Sequence, residues 1–435
     1  MSSDLLIYTP KITSRINYAL SLFFESLIIT PYKVTTDIEE YKNYNGPRLN
    51  YSGQAVADNE IFIHYKGLLF DNGVSVQNIK VSEWEGLKIF YQSPGTMPFD
   101  VFAASFYLVS RYEEYLPHEG DKHGRFKHAD SLAFKNQFIK QPLVNLWAEK
   151  LKSILQKTYP AIIIKENTYT FTPTIDIDVA YAHKGRKLYV TIGAYLRALL
   201  NFDFRTISNK TKTLFGSRPD GYDTYDYQQQ VFKKYNLNPI YFFLAGKRGD
   251  YDKNINVESK DFSDLVKKVS GFADVAIHPS YSSLGKTEMV KEEIKKLEDK
   301  LGNKITKSRQ HFLRILWPDT FRGLASSGIT DDYTLCYAGT VGFRASICTP
   351  FFFYDLQKEE ILPLKLHSSA VMDGTLNEYM FMSPDEAIDI TKKLIEQVKQ
   401  VKGEFVGIWH NDSLNDKGKW MGWTRVFETI VAEAK

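Results

Sequence analysis

Cysteine is almost missing from this chain. Only Cys336 and Cys348 occur in 435 residues, which excludes a disulfide framework and a cysteine-rich metal site. A surplus of one charge is missing too. Lys and Arg number 55 against 52 Asp and Glu, a formal +3, too small for a nucleic-acid binder that works by neutralising phosphates. No apolar run approaches the roughly 20 residues that span a bilayer, so no membrane span is expected. The opening stretch Met1 to Ile7 is short and carries Asp4, which does not read as a secretory signal; the cytoplasm is the expected location. Repeats and low-complexity tracts are absent as well. Aromatic rings are the one excess, at 14% of residues. Sugar-binding clefts favour such rings, but so does any core, so the excess decides nothing alone.

The chain divides near Thr158 to Thr168, where a helix (Pro142 to Gln156) gives way to Tyr159-Pro160. Residues 1–157 mix short strands (Leu5 to Tyr8, Glu60 to His64, Gly86 to Tyr91) with helices over Ser14 to Ile29 and Asp100 to Tyr115. That pattern predicts a smaller α/β or α+β domain. Residues 168–435 instead alternate strand and helix. Strands are expected around Tyr169 to Thr172, Pro239 to Leu244, Val275 to Ile277, Lys304 to Ser308 and Glu404 to Trp409. Helices are expected over Asp261 to Gly271, Gly285 to Leu301 and Thr320 to Ser327, and after the capping box Ser383-Pro384-Asp385-Glu386. Repeated βα units of this kind predict a (β/α) barrel, distorted or incomplete.

In such a barrel the chemistry sits at the C-terminal ends of the strands. Those ends carry Asp176 and Asp178, His278, Arg309 with His311, His367 and His410, and His183 lies just beyond one. Random placement would scatter some histidines onto helices. In Thr174-Ile175-Asp176-Ile177-Asp178 the two carboxylates project from one face of an extended strand, about 6.5–7 Å apart at Cα. Such a pair can divide labour between binding a metal and acting as a base, although taken alone it reads more readily as a loop cap or turn pair.

The order Thr-x-Asp-x-Asp, a strand-end His, an Arg and a late strand-end His resembles the NodB-type polysaccharide deacetylases, carbohydrate esterase family 4. Ile277-His278-Pro279-Ser280-Tyr281, Ser308-Arg309-Gln310-His311, Val341-Gly342-Phe343-Arg344 and Trp409-His410-Asn411 look like a divergent bacterial branch with an extra N-terminal domain. The resemblance covers residues 168–415. It implies a metal-dependent hydrolase removing acetyl groups, N-acetyl above O-acetyl, from a sugar or glycan. Asp176 would be the base, His410 the acid, and Arg309 would orient Asp176. Asp178 and His278 would hold a divalent metal, in this family most often zinc. The family's second histidine, in His-x-x-x-His, is replaced here by Ser282, a poor zinc ligand. His183, His311 or His367 would then supply the third ligand, or the metal is lost. The alternatives are a non-catalytic carbohydrate-binding or scaffold protein and a glycoside hydrolase.

Tyr281, Trp317, Arg344, Asp373 and Trp409 are candidates for substrate contact. For each the plainer reading is structural: aromatic core, a turn Asp before Gly374, and a surface ion pair for Arg344. Ser110-Arg111-Tyr112-Glu113-Glu114-Tyr115 places two acids at a helix C-terminus, against the dipole, so a network with Arg111 and Arg125 is expected. The sugar, the acetylated position and the oligomeric state are not legible.

Overall fold

The computed structural model describes residues 4–435; Met1 to Ser3, with which the N-terminal stretch begins, lie outside them. The chain forms two compact units, and it enters the first one three times. Unit 1 holds the described residues up to Thr170 together with Gly342–Ala370 and Glu396–Phe405, and unit 2 holds Phe171–Val341, Val371–Ile395 and Val406–Lys435.

Unit 1 is built on a four-stranded parallel sheet in the order β2-β1-β3-β4, from β1 (Leu5–Tyr8), β2 (Tyr32–Thr35), β3 (Arg48–Ser52) and β4 (Ile61–His64). A small hairpin follows, β5 (Ser82–Trp84) and β6 (Leu87–Ile89). The helix Val101–Val109 is buried along its whole length, as its nearly unbroken apolar sequence requires. Asp100 caps it, accepting from the Ala103 N–H, and Phe102 packs edge-on against Phe23 and Tyr51.

Two predicted helices end early. The one expected to Tyr115 stops at Val109, because the Ser110 hydroxyl donates back to the Phe106 carbonyl and Arg111 turns left-handed at φ 52°. Tyr112–Tyr115 continues as a 3₁₀ turn. The one expected from Ser14 to Ile29 is α-helical to Ser21 and then widens to a π-turn over Leu22–Leu27.

The barrel strands are β7 (Thr170–Ile177), β8 (Ile240–Phe243), β9 (Asp274–Ile277), β10 (Lys307–Ser308), β11 (Asp331–Leu335), β13 (Glu360–Met372) and β14 (Glu404–His410). β7 to β11 run parallel in sequence order, β14 lies on the other side of β7, and β13 pairs with both β14 and β11. These pairings close a seven-stranded parallel barrel. β12 (Phe351–Asp355) adds antiparallel to β13. Every residue of β8 is buried, as expected for a strand covered on both faces. Inside, Ile240, Phe242, Ala276, Tyr333 and Val406 form one apolar layer, and Leu313, Cys336, Ala338, Met372 and Ile408 form another. Cys336 and Cys348 are free and buried. Among the described residues no helix is long and apolar enough to cross a membrane.

Candidate metal centre and its surroundings

Five barrel strands deliver side chains to one place. Asp176 lies near the end of β7 with Asp178 just beyond it, His278 follows β9, Arg309 and His311 follow β10, Asp373 follows β13, and His410 ends β14. Asp178, His278 and His311 each offer a ligand atom, all within 4.8 Å of one another. His278 Nε2 lies 3.2 Å from Asp178 Oδ1, and His311 Nε2 lies 3.3 Å from Asp178 Oδ2. Zinc bonds of 2.0–2.1 Å in a tetrahedron set neighbouring ligand atoms about 3.3 Å apart, and each imidazole nitrogen stands at about that distance from one oxygen of the Asp178 carboxylate, His278 from Oδ1 and His311 from Oδ2.

The ring tautomers point the same way. His278 Nδ1–H donates to the Arg309 carbonyl at 2.5 Å, and His311 Nδ1–H donates to Asp252 Oδ1 at 3.0 Å. With Nδ1 so engaged, a neutral ring turns the Nε2 lone pair toward Asp178. Asp178 Oδ1 is buried without a hydrogen-bond partner. Lone pairs facing lone pairs at this range repel, and either a proton or a cation between them relieves the repulsion. The donor set of two imidazoles and one carboxylate fits a divalent transition metal such as zinc. Burial disfavours charge on both partners, yet it is outweighed. The positive charge of His311, with the His278 and His410 imidazoles close by, holds Asp178 well below the usual carboxylate range, while Asp178 and Asp252 push His311 up to about 9.

Arg309 is fully buried in the barrel and donates through Nη1 to Asp176 Oδ1 at 2.6 Å and to the Thr174 hydroxyl at 2.8 Å. Its guanidinium carbon stands 4.3 Å from the centre of the Phe242 ring. The other carboxylate oxygen of Asp176, Oδ2, lies 3.9 Å from His278 Nε2. Opposite, His410 Nδ1–H donates to Asp373 Oδ1 at 2.7 Å and its backbone N–H donates to Asp373 Oδ2 at 2.8 Å. Burial opposes a charge on His410, but Asp373, Asp178 and Asp176 together hold its imidazolium well above the ordinary histidine value. Asp373, expected as a turn residue, is thus buried and grips the imidazole.

The other sequence candidates go elsewhere. The Ser282 hydroxyl donates to Asp252 Oδ2 at 2.9 Å, so the serine in the histidine position supports the carboxylate that supports His311. His183 gives its backbone N–H to Asp220, and His367 pairs with Glu404 at 2.6 Å within unit 1. Tyr281 is sandwiched by Arg314, 3.8 Å from its ring centre, and by Tyr251 at 4.3 Å. Trp409 packs on Phe427, and Trp317 on Phe321. Arg344, expected in a surface pair, is buried in unit 1, where it grips Glu114 at 2.6 Å. Arg111 completes that network with Glu113 and Glu114, whereas Arg125 pairs with Asp121.

Sequence reasoning missed Asp252 and Glu293. Asp252 had a signal, an acid in the loop after strand β8 at the barrel's C-terminal face. Glu293 had none, being one acid among many on a charged helix. It accepts the Ser280 N–H and hydroxyl, pinning the loop after His278, and burial pushes it up to about 7.

Residues 5–160 match a family model described as a family of unknown function (DUF7033). No curated protein matches. Among solved structures, a Mycobacterium smegmatis protein assigned as a polysaccharide deacetylase is similar at 14% identity, with 62% of this chain and 84% of that one covered and a TM-score of 0.41. A Bacillus anthracis CE4-family pseudoenzyme is similar at 10% identity over 62% of each chain, TM-score 0.31. The carbohydrate deacetylase Agd3 is similar at 9% identity over 99% of this chain and 83% of its own, TM-score 0.38. The chemistry of this barrel rests on the residues themselves, above all on an Asp-His-His cluster able to hold a metal.

Proposed function

We propose that the barrel is a metal-dependent deacetylase that hydrolyses the amide of an N-acetylated sugar or glycan. The observation that carries this reading is the convergence of Asp178, His278 and His311 on one point, with Asp176 paired to Arg309 on one side and a His410–Asp373 pair on the other. Asp178, His278 and His311 would hold the cation, which when bound would polarise the acetyl carbonyl and make water acidic enough to attack at neutral pH.

The chain's own residues supply the rest. Arg309 and Asp176 form a buried pair in which Oδ1 is occupied and Oδ2 faces the cluster, so Asp176 is oriented to take the proton of the attacking water. His410 is held protonated by Asp373, with Nε2 3.8 Å from Asp178 Oδ2, and gives its proton to the departing amine nitrogen. One carboxylate as base and one imidazolium as acid, set apart by their neighbours, is the division of labour the hydrolysis needs.

The test is acetate release from N-acetylglucosamine oligosaccharides by protein purified without chelator and assayed for zinc. Asp176→Asn and His410→Ala are expected to retain metal and lose at least about 100-fold in rate. Wild-type protein that binds zinc but releases no acetate above background from any N- or O-acetylated sugar sinks the proposal and leaves a carbohydrate-binding barrel.

A further inference from the structure

Between β7 and β8 the chain makes an excursion that the barrel does not require. Helices Leu188–Leu200 and Phe204–Leu214 pack on each other through polar groups. The Tyr195 hydroxyl bonds Thr211 at 2.9 Å, and Lys210 Nζ donates to the Thr191 carbonyl at 3.2 Å. Their apolar side chains face outward. Leu188, Ile192, Leu196 and Leu199 recur at helical spacing and are 49–74% exposed, with Leu200 and Phe202 at 79% and Phe215 at 84%. Ten of the 21 exposed large apolar side chains among the described residues fall within Leu188 to Phe215. Scattered exposed leucines mean little, but a concentration like this marks a surface meant to be covered.

The charge of this segment names the cover. Residues 186–218 carry seven Lys or Arg against one acid, Asp203, a formal +6 in a chain whose total is +3, leaving −3 for everything else. Asp203 is spent as a helix cap on Thr206. Among the described residues none of the seven cations forms an ion pair with a carboxylate. At the base of the hairpin Arg186, Lys187, Tyr189, Lys247, Arg248 and Lys296 line a cavity of about 420 Å³. The only acid on its wall, Glu258, is bound to Lys300 at 2.7 Å. Burial and the neighbouring Arg248 hold Arg186 below its ordinary value, outweighing Tyr222 and Asp220.

We propose that this hairpin docks the protein on an anionic lipid surface, its leucine and phenylalanine face entering the interface while its exposed cations, Lys210 being buried between the helices, and the cavity at its base meet lipid phosphates. Exposed apolar side chains with basic flanks and little acid are the composition of helices that lie in the plane of a bilayer. A protein partner or a second copy would cover the apolar face but would leave the surplus of cations unexplained. The neck of the hairpin is firm: the Asp220 carboxylate accepts the N–H groups of Ala182, His183, Lys184 and Tyr222. The excursion leaves the barrel directly after Asp178, so docking would hold the candidate metal centre near the lipid.

The proposal does not rest on the deacetylase reading, and its test needs no activity. The full chain is sedimented with vesicles of phosphatidylcholine alone and with vesicles containing about 30% phosphatidylglycerol. Binding to the second and not the first is expected, weakening in high salt. Leu196→Glu with Leu200→Glu, and separately Arg197→Gln with Arg205→Gln and Lys212→Gln, are each expected to weaken it on the order of 100-fold with unchanged circular dichroism. Absence of binding to the anionic vesicles at low salt, or binding untouched by both variants, overturns the proposal. So does a dimer that light scattering shows to dissociate in the leucine variant while wild-type protein ignores vesicles; a second copy would then be the cover.

Discussion

Glu114 in unit 1 and Asp178 in unit 2 are both carboxylates set among cationic or protonatable neighbours, yet their oxygens are used differently. Glu114 Oε1 accepts from Arg111 and Arg344 at 2.9 Å each, and Oε2 accepts from Arg344 at 2.6 Å. Asp178 Oδ1 has no hydrogen-bond partner and faces an imidazole nitrogen whose ring has given its N–H elsewhere. The first arrangement is complete with protein atoms alone. The second is complete only with something positive between its lone pairs. Burial and a displaced pKa are common to both, so neither distinguishes a structural network from a ligand site; the direction of the lone pairs does.

That contrast can be broken at either end. The largest effect is expected at Asp178. Asp178→Asn or His311→Ala should lower metal affinity on the order of 1000-fold, read as metal content after purification and dialysis. Near-stoichiometric metal in both variants would mean another ligand set. At Glu114 the expected loss is one of stability. Burial alone would raise its pKa, but Arg344 and Arg111 lower it from 4.5 to about 2. The stabilisation is therefore full above pH 4.5 and disappears as pH falls toward 2. Glu114→Gln should cost roughly 3 kcal/mol in urea unfolding near neutrality and flatten the acid limb of the stability curve. An unchanged acid limb would contradict it.

Smaller effects sharpen the picture of how His311 is held. Asp252→Asn should weaken metal binding 10- to 100-fold while the fold persists, since it removes the carboxylate that sets the ring tautomer. Because His311 holds a proton up to about 9 without metal, binding near neutral pH should release about one proton per metal, measurable by calorimetry in two buffers. Ser282→Ala should change affinity by less than about threefold, because it loses only one hydrogen bond to Asp252. A loss as large as that of His311→Ala would make Ser282 itself a ligand.

The barrel was legible because its strands punctuate the sequence with histidines and acids at their ends, a pattern helices do not produce. Asp176, Asp178, His278, Arg309 and His410 could be singled out for the same reason. That His311, rather than His183 or His367, stands beside Asp178 and His278 was readable only as one of several options, because a side chain brought from a neighbouring strand has no fixed spacing. β13 left little trace: Pro363 and the buried polar run His367-Ser368-Ser369 disguise a 13-residue strand. Arg344 read as a surface residue because its partner lies 230 positions earlier. The outward-facing hairpin escaped notice because periodicity shows which residues share a face, never whether that face is covered.

Unit 1 is not encoded as one continuous stretch, and this bears on how the gene can be cut. A fragment ending at Thr170 would leave out Gly342–Ala370, and with it Arg344 and the β12 strand. Glu114 would keep its place near Arg111 while losing the second guanidinium that neutralises it, and Asn145 would lose both Thr349 and the Cys348 N–H. Such a truncated polypeptide should misfold or aggregate when made alone. Supplied with a separate peptide spanning 342–370, it offers a system for fragment complementation, in which recovery of native structure would report directly on the first of the chain's two returns.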